Sequence, residues 1–131
     1  MTESSETALH GGMSISDVAA RTGLSTHTLR YYEREGLMFA PVDRASSTHR
    51  RYSEADVTWV VFLTKLRSTS MPIARMREYV ELARRGDEST AERLELLLIH
   101  RMNVVRQLDD MTASLAAIDY KIGLYQEKVT A

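Results

Sequence analysis

The last third of this chain constrains its fold most. From about Glu88 to Ala131 there is no proline, and Gly123 is the only glycine. Leu94, Leu97, Val104, Leu108, Met111, Leu115, Ile118, Ile122, Tyr125 and Val129 follow a 3,4 spacing, with Arg101 as the one polar interruption. This is a heptad seam of about five heptads, or roughly 60 Å of helix. One strip of large apolar side chains cannot bury itself on a single helix, so the segment is expected to pair with a second copy. Packing back onto a small domain is the rival, but the seam outruns a domain of this size. Gly123 costs about 1 kcal/mol relative to alanine, and fraying is expected near the C-terminus.

The rest of the 131 residues can bury one modest core. A net charge of −1 argues against an indiscriminate polyanion binder. Met13 to Ser68 nevertheless carries eight basic against six acidic residues, the one stretch with a positive balance. The absence of cysteine excludes disulfides, thiolate metal sites, iron–sulfur clusters and thiol redox sensing. His10, His27, His49 and His100 form no ligand-spaced pair, so no metal or other cofactor is expected. No nucleophile, base and orienting group cluster, and no glycine-rich phosphate loop precedes a helix, so the chain does not read as an enzyme. No run of about 18 apolar residues spans a membrane and the start lacks a secretory pattern, so a cytoplasmic protein is expected.

Residues 1–12, rich in Ser, Thr and Glu and ending in Gly-Gly, read as a disordered tail. Ser16 can cap a two-turn helix over Asp17 to Thr22, ending at Gly23, with Val18 and Ala19 facing inward. Ser25 can cap a second, three-turn helix that Gly36 ends. In it Leu29 and Tyr32 are spaced to face a core, while Thr26, His27, Thr28, Arg30 and Tyr31 present a donor-rich face. The order Ala19, Gly23, Leu29 fits a helix-turn-helix: a small residue for close approach, a glycine for the turn, a leucine for the lock. Across Asp43 to Tyr52 both a two-stranded wing, with Tyr52 packing inward or lying beside phosphate, and a solvated loop with two arginines are compatible with the residues. Ser53 to Asp56 matches a capping box ahead of a third helix to about Arg67, whose Trp59, Val60, Phe62, Leu63 and Leu66 are expected to form the main core. Pro72 suits the first turn of a fourth helix carrying Ile73, Met76, Val80 and Ala83, which Gly86 ends.

In this order the parts resemble the MerR family of bacterial transcription regulators. The resemblance covers almost all of Met13 to Glu127 and is carried by TLRYYEREGL at Thr28 to Leu37 and RRYSEADV at Arg50 to Val57. LRSTSMPIARMREYVELARRGD from Leu66, with AERLELL from Ala91, is similar to the branch responsive to aldehyde and nitrosative stress. The resemblance implies an all-α fold with a small β wing: a winged helix-turn-helix DNA-binding domain at 13–86 and, at 87–131, a dimerisation helix forming an antiparallel coiled coil. It implies that Thr26, His27, Thr28, Arg30 and Tyr31 enter or flank a major groove, that Arg50 and Tyr52 meet phosphate or the minor groove, and that Arg67 approaches the backbone. His27 and Thr28 are then the base readers, with Arg30 and Arg50 mainly positioning. The implied partners are promoter DNA, a second copy and RNA polymerase, and the implied action is to distort the spacer of a pseudo-palindromic promoter.

Three departures stand out. Lys65 stands where the branch has a reactive thiol, His49 where the wing has tyrosine, and Ser70 where glycine often precedes Met-Pro. Thiol sensing therefore does not transfer, and with little sequence after the dimer helix a large ligand pocket is not expected. The rivals are a simple repressor or architectural DNA binder without sensing, and a coiled-coil module whose head binds protein.

Overall fold

The computed structural model describes residues 12–39, 43–45 and 49–131, with the backbone alone at 43–45, 49 and 50. The chain divides into two compact units, the first ending at Arg93 and the second comprising Leu94–Ala131.

The first unit begins with α1 (Ile15–Thr22) and α2 (Thr26–Arg34). Ser14, not Ser16, caps α1: its Oγ accepts the Asp17 N–H at 3.1 Å while the Asp17 carboxylate accepts the Ser14 N–H at 3.3 Å. Only Ser14 has an acid three residues on; Ser16 has Ala19 there and cannot close a reciprocal box. The turn passes through Gly23 at φ +78°, where a side chain would be strained. Val18 and Leu29 are fully buried and Ala19 half-buried, so the helices meet much as the spacing predicts.

The wing reading holds. β1 (Asp43–Ala45) and β2 (His49–Arg51) pair antiparallel, with Arg44 opposite Arg50. The chain start adds a further rung: Met13 and Tyr52 exchange both backbone hydrogen bonds at 2.8 Å. Gly12, at φ +146°, lies so close that a Cβ there would sit 2.6 Å from the Tyr52 carbonyl oxygen. Gly12 thus belongs to the folded unit rather than to the expected tail; residues 1–11 lie outside the described residues.

Helix α3 (Glu54–Ser68) starts on the predicted capping box, Ser53 with Asp56. Val57, Val60, Leu63 and Leu66 are buried along it. Trp59 and Phe62 are only half-buried, a correction to the expected core. Trp59 must satisfy its indole N–H, which it gives to the Leu37 carbonyl at 2.7 Å, and its ring lies between Tyr79 and the edge of Phe39. Helix α4 (Ile73–Arg84) follows Pro72 and buries Met76, Tyr79, Val80 and Ala83. Between α3 and α4, Ser70 adopts φ +75°, the one non-glycine among the described residues with positive φ. A residue with a Cβ held there costs about 1 kcal/mol or more, which glycine would avoid.

After α4 a single 3-10 turn (Gly86–Ser89) leads into α5 (Thr90–Thr130). Ser89 is fully buried at this joint, its hydroxyl donating toward the Leu82 and Gly86 carbonyls and accepting from Arg93 Nε at 3.1 Å. The second unit is the remainder of α5, continuous through Gly123, and none of the side chains of α5 is buried. In the seam Leu97 and Val104 are half-buried and all the others exposed. Among the described residues no helix is long and apolar enough to cross a membrane.

Candidate nucleic-acid interface

Helix α2 is held at both ends and along its inner face, which frees its outer face. At its start the Ser25 hydroxyl accepts the Thr28 N–H at 3.0 Å and lies 3.0 Å from the Thr28 hydroxyl. At its end Gly36 takes φ +71° and the Leu37 N–H returns to the Tyr32 carbonyl at 2.9 Å. Leu29 and Tyr32 fill the inner face, and the Tyr32 hydroxyl hydrogen-bonds Thr64 Oγ1 of α3 at 3.1 Å. His27 and Arg30 are exposed on the outer face; Thr26, Thr28 and Tyr31 are half-buried beside them. The five sequence-derived residues therefore stand together on one short helix.

Arg34 joins them, and sequence reasoning missed it. It is exposed, one turn beyond Arg30 and two beyond His27, and its guanidinium lies 6.0 Å from the Tyr31 ring centre. The i+4 spacing from Arg30 was the available signal. Neither Arg30 nor Arg34 meets a carboxylate among the described residues, whereas Arg21, Arg75, Arg77, Arg84 and Arg85 all do. The arginines thus divide into those tied within the fold and those offered outward.

On the wing, the register sets Arg44 directly across from Arg50, a second basic position that the sequence reading left out. The side chains of both lie outside the described residues. Arg51, next along β2, is half-buried.

Tyr52 is a correction. It is fully buried and its hydroxyl donates to the Glu33 carboxylate on α2, so it has no surface to offer phosphate. It acts instead as a strut between the wing root and α2. Arg67 is exposed at the end of α3, but one of its N–H groups is given to the Met71 carbonyl at 3.2 Å, closing the loop that contains Ser70. Lys65, at the position of the branch's thiol, is also exposed.

A bidentate ion pair ties α1 to the start of α3. Arg21 of α1 grips both Glu54 carboxylate oxygens of α3, at 2.6 and 3.1 Å. The hydrogen bonds from Arg21 hold the Glu54 pKa below the usual carboxylate value, and Glu54 in turn raises that of Arg21. Both side chains are well exposed, so the pair orients more than it stabilises.

Comparison with known proteins bears on this arrangement. Residues 13–82 match the MerR HTH family regulatory proteins, a span covering the helix pair, the wing, α3 and most of α4. An uncharacterised HTH-type transcriptional regulator of Haemophilus influenzae is 32% identical over 83% of this chain and 80% of its own length. The HTH-type transcriptional regulator AdhR of Bacillus subtilis is 38% identical over 71% of this chain and 66% of its own. Among solved structures, HiNmlR, a MerR family regulator lacking the sensor domain and bound to promoter DNA, superposes with a TM-score of 0.78 at 31% identity, covering 88% of this chain and 92% of that one. The helix-turn-helix, its wing and the matched span together identify this chain as a DNA-binding transcription regulator that belongs to the MerR family.

Proposed function

We propose that this chain acts as a homodimer on a pseudo-palindromic promoter, one recognition helix in each of two successive major grooves. The observation that carries the reading is α5: 41 residues of helix with no buried side chain and a seam of apolar residues along it. Leu94, Leu97, Val104, Leu108, Met111, Leu115, Ile118, Ile122 and Tyr125 form the dimer contact. Arg101 favours the antiparallel orientation. Parallel pairing would set two Arg101 guanidiniums side by side within the seam, a like-charge contact in a desolvated site. In the antiparallel register that sets Leu94 against Tyr125, Leu97 against Ile122, Val104 against Leu115 and Leu108 against Met111, Arg101 falls opposite Ile118 with Asp119 beside it.

On each head His27 and Thr28 read base edges, and Thr26, Arg30, Tyr31, Arg34, Arg44, Arg50 and Arg67 meet phosphate or flank the groove. DNA distortion costs energy that the two heads must offset, and a small change in the pairing of the two long helices alters that balance. RNA polymerase then reads the realigned promoter in the cytoplasm, and with lysine at position 65 the signal is not a thiol reaction.

Selection of bound sequences from a random duplex pool tests this. An inverted repeat of fixed spacing is expected to be enriched, with Arg30→Ala and Arg50→Ala weakening binding and flattening its salt dependence by about one phosphate each. Enrichment of no repeat sinks the dimeric reading.

A further inference from the structure

Two arginines of α4 reach across to the segment that leaves the recognition helix. Arg84 Nε donates to the Phe39 carbonyl at 2.9 Å, and Nη2 donates to the carbonyls of Met38 at 2.5 Å and Gly36 at 3.3 Å. Its Nη1 is steadied by the Glu81 carboxylate at 2.9 Å. About two turns earlier Arg77 pairs with the Glu35 carboxylate, and its Nε lies 3.4 Å from the Glu35 carbonyl.

This segment matters because of what it connects. Helix α2 ends at Arg34 and β1 begins at Asp43, so residues 35–42 link the two elements that face DNA. A planar guanidinium with five fixed N–H groups can hold three backbone carbonyls of one segment at once; an ammonium, a single charged point, cannot. Base-edge hydrogen bonds weaken steeply with misalignment. Attraction to phosphate is long-ranged and sequence-independent. Loosening the link should therefore cost specific binding and spare nonspecific binding.

We propose that Arg84, assisted by Arg77, is a positioning residue for sequence recognition, holding recognition helix and wing at one spacing without itself touching DNA. The proposal rests on the DNA-binding reading above. The test uses the full chain and its Arg84→Lys, Arg84→Met and Glu35→Gln variants, with two probes: the duplex enriched by the wild type from a random pool, and an unrelated duplex of equal length. Affinity is measured across a salt series. Both Arg84 variants are expected to lose about tenfold on the enriched duplex, with affinity for the unrelated duplex and the salt slope unchanged. Glu35→Gln should show a smaller loss of the same kind.

A slope shallower by about 0.9 would overturn the proposal, because Arg84 would then contact phosphate directly. Wild-type affinity in Arg84→Lys would overturn the fork geometry. Unchanged affinity with a lowered melting temperature, or variants that do not fold, would make the role purely structural. A wild type that enriches no duplex refutes the DNA reading itself, and Arg84's role with it, before any variant is compared.

Discussion

The head and the long helix solve opposite problems. In the head, short elements with little intrinsic stability close around a shared core of Val18, Leu29, Val60, Leu63 and Met76, and capping boxes and arginine clamps satisfy their ends. In α5, the backbone is saturated by one long run of helix while no side chain is fully buried. The difference teaches where each unit gets its free energy. The head gains from burial within one chain, and in the dimer proposed above the helix gains from burial against a second copy. In the proposed dimer the helices can change their pairing without unfolding the heads.

The largest effect expected from breaking this division is on association. Replacing Leu108 and Leu115 with glutamate puts charges in the seam and should weaken dimerisation by about a hundredfold or more, read by sedimentation, while the head's own unfolding is unmoved. Leu29→Ala should do the reverse. It opens a cavity in the head's core and should cost about 2–5 kcal/mol in denaturant unfolding, with dimer dissociation unchanged once folded. If either variant moved both quantities equally, the two units would not be separable.

Smaller changes sharpen the picture within the head. Ser70→Gly relieves the positive φ and should raise stability by about 1 kcal/mol, a gain visible in thermal melts. Glu54→Gln should have the least effect, and its pH dependence identifies it. Because the folded Glu54 pKa is lowered by Arg21, the pair's contribution is present above the ordinary carboxylate range and is lost as pH falls through the folded pKa. The wild type should therefore melt slightly above Glu54→Gln near neutrality, and the gap should close in acid.

What could be read from the sequence was what depends on neighbours along the chain. The Ser53–Asp56 box, the Ser25 cap, the Gly36 stop and the heptad seam are local patterns, and each stands where its spacing predicts. His27 and Arg30 lie on the outer face for the same reason, since Leu29 and Tyr32 fix which side of the helix points inward. The Ser14 cap and Arg34 were legible locally and still passed over; the other misses depend on residues far apart in sequence. The residues around Tyr52 allow it to pack inward or to lie beside phosphate, and only Glu33, on another element, decides for the inside. Gly12 looks like a tail until the Tyr52 backbone lies against it. Arg77 and Arg84 take no role from the sequence, because nothing local shows that their acceptors lie at Glu35 to Phe39.

The most direct test compares wild type and the Leu108→Glu, Leu115→Glu double variant on two duplexes, the complete inverted repeat and a single half-site. If heads read half-sites and the long helix supplies only the pairing, the wild type should prefer the complete repeat by at least about a hundredfold. The double variant should bind both duplexes alike, at the wild type's half-site affinity. Retention of the full preference by the double variant, or loss of its half-site binding while it remains folded, would contradict this division between head and helix.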